Sequence, residues 1–188
     1  AMAPYGFAAT VAGLILVSGT TASPSMMPFG GRDLRLGNNP IGFAAPNKSG
    51  APFLLDMALS VAARGKMRKL RDTGEAMPLG WALDADGQPT TNPQAGLDGF
   101  IQFIGGHKGY GLGTMVEILC AVLTGAWADG VDDEGRPKHT DYDVGHFFFA
   151  IDPSLVRADG EFEDDMDRMM DMLRATPPAD PSKPVMVA

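Results

Sequence analysis

Phe100-Ile101-Gln102-Phe103-Ile104 runs into Gly105-Gly106-His107-Lys108-Gly109-Tyr110-Gly111 and then into an apolar segment from Leu112 to Ala126. The three parts read as a strand, a glycine-rich turn and a long helix. That succession is the physical recipe for holding a phosphate: glycines let the backbone approach, N–H groups point outward, and the helix dipole favours an anion. Lys108 adds a positive charge inside the turn. The competing reading is an ordinary structural turn, because neither common nucleotide fingerprint is present. Gly106, Gly109, Gly111 and Gly113 do not fit G-x-G-x-x-G, and the order Lys-Gly reverses the Gly-Lys-Ser/Thr ending of a P-loop. The helix is apolar on nearly every face apart from Glu117, Thr114 and Thr124, a pattern that predicts a place in the centre of the core.

Upstream, residues Tyr5 to Ala12 have an Ala-rich helical pattern that Gly13 stops before the β-rich run Leu14 to Val17. No cap residue precedes this helix, so the chain reads as starting in mid-helix, inside a larger fold. The small, hydroxylated cluster Ser18 to Ser25 follows, then Pro28-Phe29-Gly30-Gly31. It reads either as a functional loop or as a plain Ser/Thr-rich connection. Leu36 to Pro46 predicts a turn, a short strand and a second turn, with Asn and Gly at the bends. Phe53 to Ala58 is an apolar strand that closes on Asp56. At the carboxyl edge of a sheet this carboxylate could accept from a ribose or an amide, or cap a helix beginning near Ala58. A helix is expected from Ser60, its N-cap, with Val61, Met67 and Leu70 inward and Gly74 and Pro78 at its end.

Downstream, Trp81 to Gly99 reads as a surface excursion with few core residues. Its Asp84-Ala85-Asp86-Gly87 turn lacks the Asp spacing and terminal Glu of a calcium loop. Asp129 to Asp143 is a polar excursion, and Val144 to Ile151 is expected to be a buried strand carrying three consecutive Phe. Phe162 to Leu173 predicts a final helix whose Phe162, Met166, Met169, Met170 and Leu173 pack into the core. Mixed strands and helices without a fixed-period repeat point to an α/β or mixed α+β sheet packed by helices.

Composition narrows the function classes. With 188 residues, 45% hydrophobic and 20% charged, the chain can bury a sizeable core. The 24 Gly and 15 Pro cluster between apolar runs, which implies tight loops. A net charge of -8 argues against nucleic acid as a partner. The basic run Arg64, Lys66, Arg68, Lys69 and Arg71 is what one solvated helix face shows. Cys120 is the only cysteine, so internal disulfides and multi-thiolate zinc sites are excluded, a reducing cytoplasmic compartment fits, and inert packing is the expected role. Val11 to Val17 has no basic residue before it, the first being Arg32, so it lacks the n-region of a signal peptide. Leu112 to Ala128 is too short and carries Glu117, so no membrane span is expected. His107, His139 and His146 have no metal-ligand spacing, and His107 could line a cofactor pocket. No Ser-His-Asp or G-x-S-x-G arrangement is present.

In order along the chain, GLILVSGTTASPSMMPFGG, LGNNPIGFAAP, LLDMALSVAARGKM, GWALDADGQPTTNP, GGHKGYGLGTMVEILCAVLTGA and VGHFFFAIDPS resemble the successive motifs of the malate/L-lactate dehydrogenase family. The resemblance covers essentially the whole chain. It implies a cofactor fold distinct from Rossmann, NAD or NADP as cofactor, 2-oxo acids or related imines as substrates, and a homodimer. The family's nucleotide-binding stretch falls on Leu54, Leu55, Asp56, Met57, Ala58, Leu59 and Ser60, with Leu59 where Thr is usual, and its Lys-Gly contact on His107, Lys108 and Gly109. The substrate-side loop falls on Thr21, Ala22 and Ser23, with Thr21 in place of a family Asn. The family's Ser/His/Arg group and its His-Phe-Gly motif have no counterpart here, since Ala1 aligns just past that Gly, and the Pro-Gly-Glu segment that closes over the cofactor has none either. The resemblance therefore implies that residues 1–188 are the cofactor-binding domain and part of the substrate-side core of a longer enzyme, with no catalytic proton donor of their own. The alternative is a non-catalytic nucleotide-binding or interaction module derived from that family.

Overall fold

The computed structural model describes residues 2–126 and 144–187. The chain divides into two compact units: Ala1–Ser18, Ile41–Asp56 and Phe148–Ala188 form the first, Gly19–Pro40 and Met57–Phe147 the second. Helix α1 (Ala3–Val11), strands β1 (Ile15–Thr20), β2 (Ile41–Ala45) and β3 (Phe53–Met57) come first, followed by α2 (Arg64–Thr73), β4 (Ala82–Leu83), β5 (Pro89–Thr90), α3 (Pro93–Asp98) and β6 (Phe100–Ile101). Helix α4 (His107–Glu117) continues into a wide π turn (Ile118–Val122); β7 (His146–Ile151) and α5 (Glu161–Arg174) complete the order. The result is the mixed helix and sheet architecture that the sequence implies.

In the first unit the sheet has the order β3-β2-β1-β7. Helix α1 lies directly on it, and Gly6 makes the approach possible: a Cβ there would stand 2.6 Å from Leu54 Cδ1 and 3.0 Å from Ala44 Cβ. The start of α1 is fixed from a distance. Met2 supplies no side-chain cap, but the Asp56 carboxylate accepts from the Met2 amide at 2.8 Å and the Ala3 amide at 2.9 Å through one oxygen, Oδ2. These are the orphan donors of a helix start, and a carboxylate there also complements the dipole. The amino end of α1 at Ala3 is thus capped by a carboxylate from β3.

In the second unit β4 pairs antiparallel with β5 and β6, with Ala82 opposite both Thr90 and Ile101. Asn92 caps α3, its side chain accepting from the Gln94 and Ala95 amides. Met26, Leu59, Met67 and Ala82 are each fully buried and Met77 nearly so. The stretch from Trp81 to Gly99 has few core residues, as expected, with Ala82 and Leu97 its buried hydrophobics, but it is ordered into β4, β5 and α3.

Several other expectations are corrected. No helix begins near Ala58 or Ser60; α2 starts at Arg64, after Ala63, which has no side-chain cap bond. Residues 59–61 instead form an isolated antiparallel bridge, Ser60 with Phe103, between two bends, with Leu59 and Val61 bonded to Ile104 and Gln102. Ser18, Gly19 and Thr20 belong to β1, so the hydroxylated loop begins only at Thr21. Helix α4 begins at His107, not Leu112. It is not central: Leu112, Met115, Ile118, Val122 and Leu123 are exposed, while Gly109, Gly113, Val116, Cys120 and Ala121 face inward. Strand β7 is mostly exposed, and on α5 only Met170 is fully buried, with Met169 and Leu173 open to solvent. Periodicity marks which residues are apolar, not which of them another element covers. Residues 129–143 and His139 lie outside the described residues. Among the described residues no helix is long and apolar enough to cross a membrane.

Candidate functional site

The second unit gathers most of the expected cofactor positions around the start of α4. The Leu59 amide donates to the Asn38 carbonyl at 2.8 Å, the Ile104 amide to the Leu59 carbonyl at 2.9 Å, and Ser60 bridges Phe103. Leu59 and Ser60 therefore lie beside the segment that leads into His107, Lys108 and Gly109, and Met57 and Ala58 precede them in the same unit. Between them Gly105 and Gly106 turn the chain with φ of +58° and +61°, a conformation that favours glycine. His107 and Lys108 are exposed on the first turn of α4. The Lys108 ammonium has no ion-pair or hydrogen-bond partner among the described residues. The edge of the His107 ring meets Phe29, itself 64% exposed, at a centroid distance of 5.8 Å.

Backbone amides contribute less to this surface than the sequence suggests. The Gly106 amide donates to Phe103, that of Lys108 to Gly105 and that of Tyr110 to Gly106. Positive charge at the helix start thus comes from the Lys108 side chain and the dipole more than from a ring of free N–H groups. Gly109 and Gly113 have a packing reason. A Cβ on Gly109 would collide with the Ile104 carbonyl, and one on Gly113 would stand 2.8 Å from the Phe103 ring. Gly111, on the open side, has nothing within 4 Å.

The expected substrate-side loop is tied down in the same unit. Thr21 is buried; its amide donates to the Gly145 carbonyl, and its hydroxyl accepts from the Gly145 amide at 3.2 Å. Ser23 is exposed and has no polar partner among the described residues, so of the two only Ser23 presents an uncommitted hydroxyl. Ala22 donates its amide to Asn39 Oδ1 at 3.2 Å. Asn39 is fully buried at a φ of +28°, a region that Asn tolerates better than most residues. Its Nδ2 donates to the Gly113 carbonyl at 3.1 Å and to Glu117 Oε2 at 2.6 Å. Burial pushes the Glu117 carboxyl above its ordinary range, and the bond from Asn39 partly opposes this. Cys120 is buried; desolvation first, then the Glu117 charge, pushes its thiol up to about 11, which makes it inert at neutral pH.

Asn39 and Glu117 escape sequence reasoning that looks for catalytic clusters. The available signals are weak: one carboxylate in an otherwise apolar helix, and Asn at a bend. The remaining expected residues, Leu54, Leu55 and Asp56, lie in the first unit. Leu54 and Leu55 are half-buried and Asp56 is exposed; Asp56 caps α1, and no helix at Ala58 exists for it to cap. His146 opens β7 on its exposed side. Among the described residues no group of three or more His, Cys, Asp or Glu could hold a metal ion.

Comparison with known proteins gives one consistent result. A family model described as malate/L-lactate dehydrogenase matches residues 1–188. A malate dehydrogenase of Pyrococcus abyssi is 38% identical over 179 residues, covering 90% of this chain and 48% of its own length. A Delta(1)-pyrroline-2-carboxylate reductase of Burkholderia ambifaria is 40% identical over 153 residues, covering 78% of this chain and 44% of its own. Among solved structures, the sulfolactate dehydrogenase of Methanocaldococcus jannaschii superposes with a TM-score of 0.86 at 34% identity, over 98% of this chain and 53% of that one. The chain spans about half the length of the curated relatives it matches.

Proposed function

The chain belongs to the malate/L-lactate dehydrogenase family, and from that we propose that it is the cofactor-binding part of a longer oxidoreductase that transfers hydride between NAD(P)H and a small 2-oxo or 2-hydroxy acid, or a related cyclic imine. The observation that carries this is Lys108, exposed on the first turn of α4 and without a polar side-chain partner among the described residues, beside the bridged Leu59-Ser60 segment. An ammonium at a helix start suits the negative pyrophosphate of a dinucleotide, so the residues present fit the cofactor. Lys108 and the dipole of α4 would hold its charge, and Met57 to Ser60 and His107 to Gly109 would supply its further contacts. Leu54, Leu55 and Asp56 are the further contacts that the family resemblance implies. When bound, NAD(P)H supplies the hydride.

On the substrate side, Ser23 offers a hydroxyl to a carboxylate, whereas Thr21 is committed to Gly145 and acts by fixing the loop. The His-Phe-Gly proton donor that the family resemblance implies has no counterpart in residues 1–188 and none of the proposed contacts is assigned its place, which is why we assign the chain no catalytic residue and expect it to be inactive alone. We further propose that the protein works in the cytoplasm as a homodimer; the exposed apolar side chains on β7 and α4 support this.

The test titrates NADH and NADPH into the chain, following nicotinamide fluorescence, and assays reduction of pyruvate, oxaloacetate and a cyclic imine carboxylate. Cofactor binding that Lys108→Ala weakens, without turnover, is the expected result. Binding indifferent to Lys108→Ala overturns the site, and robust turnover by the chain alone overturns the claim that it lacks a proton donor.

A further inference from the structure

We infer that Asn39 is a positioning residue that locks the Thr21–Ser23 loop to helix α4, so that the substrate-side loop and the cofactor helix move as one body. Its functional meaning rests on the cofactor and substrate reading above; its physical basis does not. One fully buried side chain commits both of its polar atoms to this junction. Oδ1 accepts from the Ala22 amide in the loop, and Nδ2 donates to Gly113 and Glu117, neighbouring turns of α4. The adjoining residues extend the junction: the Asn38 carbonyl receives the Leu59 amide, and the Pro40 carbonyl the Thr20 amide at 3.3 Å. At Gly37 a Cβ would collide with the Ala22 carbonyl, so the turn lies hard against the loop.

Three features make this a lock and not a generic buried amide. The residue adopts a positive φ without being glycine, a cost the structure meets only at Asn39 among the described residues. Asn provides one acceptor and one donor group on a short arm, which is what an N–H on one side and a carbonyl and a carboxylate on the other require. Its main partner on α4, Glu117, is a half-buried carboxylate in an apolar helix, a position hard to explain by packing. Among the described residues no other hydrogen bond to the Glu117 side chain competes with the one from Asn39.

The experiment measures amide hydrogen exchange by NMR on the wild-type chain and on Asn39→Ala, Asn39→Asp, Glu117→Gln and the double variant that combines Asn39→Asp with Glu117→Gln. The Asp84 amide of the β4–β5 hairpin, bonded to the Gln88 carbonyl, serves as the remote reference. Losing one buried partner is expected to speed Ala22 exchange about tenfold in Asn39→Ala while the Asp84 amide is unchanged. Glu117→Gln keeps an acceptor for Nδ2 and leaves Ala22 within about twofold of wild type. Asn39→Asp sets two carboxylates together and loosens Ala22 further. In the double variant the new amide on α4 donates to the new carboxylate at the turn and recovers most of the protection. A residue with only a general structural role would not produce that reciprocal rescue.

Unchanged Ala22 exchange in Asn39→Ala overturns the inference, as does equal acceleration of Ala22 and Asp84, or a double variant no better than Asn39→Asp. If Asn39→Ala does not fold, Asn39→Asp, Glu117→Gln and their combination decide alone. NADH and NADPH are then titrated into the same proteins. Wild-type chain that binds neither defeats the cofactor reading while the exchange data still decide on Asn39; binding weakened in Asn39→Asp and restored in the double variant joins the two.

Discussion

Replacing Gly109 and Gly111 of α4, one at a time, by alanine should shift stability in opposite directions. The two glycines stand on the same helix, two residues apart, and each gives up helix propensity worth up to about 1 kcal/mol relative to alanine. At Gly111 a Cβ meets nothing within 4 Å, so Gly111→Ala keeps that gain. At Gly109 the new atom collides with the Ile104 carbonyl and lies 3.0 Å from Ile104 Cγ1. Backbone cannot swing aside as a flexible side chain does, so the first turn of α4 has to back away from the Phe103-Ile104 segment. Overpacking of this kind costs roughly 1–3 kcal/mol, and a backbone collision belongs at the upper end. The net is a loss of about 2 kcal/mol for Gly109→Ala. For a chain of this size that corresponds to a melting temperature lower by roughly 4–8 °C, against a rise of roughly 2–4 °C for Gly111→Ala. Thermal unfolding followed by circular dichroism, with urea titration as a second measure, reads both. Gly109→Ala as stable as wild type would refute the packing argument; if that variant also bound NAD(P)H poorly, the glycine would be serving close approach of a phosphate instead.

Asp56→Ala removes the acceptor of the Met2 and Ala3 amides and should cost about 1–2 kcal/mol in urea unfolding, with Asp56→Asn, which keeps an oxygen, costing less; equal costs would point to charge, not capping. Leu59→Thr, toward the residue usual in the family, should destabilise this chain by roughly 2–4 kcal/mol, because Leu59 is fully buried and a smaller side chain with a hydroxyl replaces it. Cys120 should react with a thiol reagent only after denaturation at pH 7 to 8. Because folding raises its pKa from 9.0 to about 11, the folded state holds the thiol proton more tightly, so this contribution is intact below pH 9 and stability falls as pH climbs from 9 towards 11. A Cys120→Ser variant with the same alkaline slope would remove the thiol as its source.

Strands β1, β2 and β3, helices α1 and α5 and the end of α2 could be read from the sequence to within a few residues, because apolar alternation and punctuation by Gly and Pro act locally. The start of α4 could not. His107 to Gly111 looks like a turn, since Gly105, Gly106, Gly109 and Gly111 crowd it, yet tertiary packing on Ile104 and Phe103 makes Gly109 and Gly113 useful inside a helix. Ser60 failed as an N-cap for the same kind of reason: pairing with Phe103 holds it extended, and a nonlocal partner outweighs local preference. The family motifs located Lys108 and the loop at Thr21, but only the folded chain reveals that Thr21 is committed and Ser23 is not. Asn39 was visible as a bend residue and no more, since its three partners, Ala22, Gly113 and Glu117, are far apart in the chain.

The capping of α1 by Asp56 has a consequence for folding. A segment of nine residues is too short to hold helical form in water unaided. Its start is completed by a residue more than fifty positions later. The amino end of α1 therefore stays unsatisfied until β3 has formed and brought Asp56 to it. In refolding, protection of the Met2 and Ala3 amides should rise together with β3 and not ahead of it.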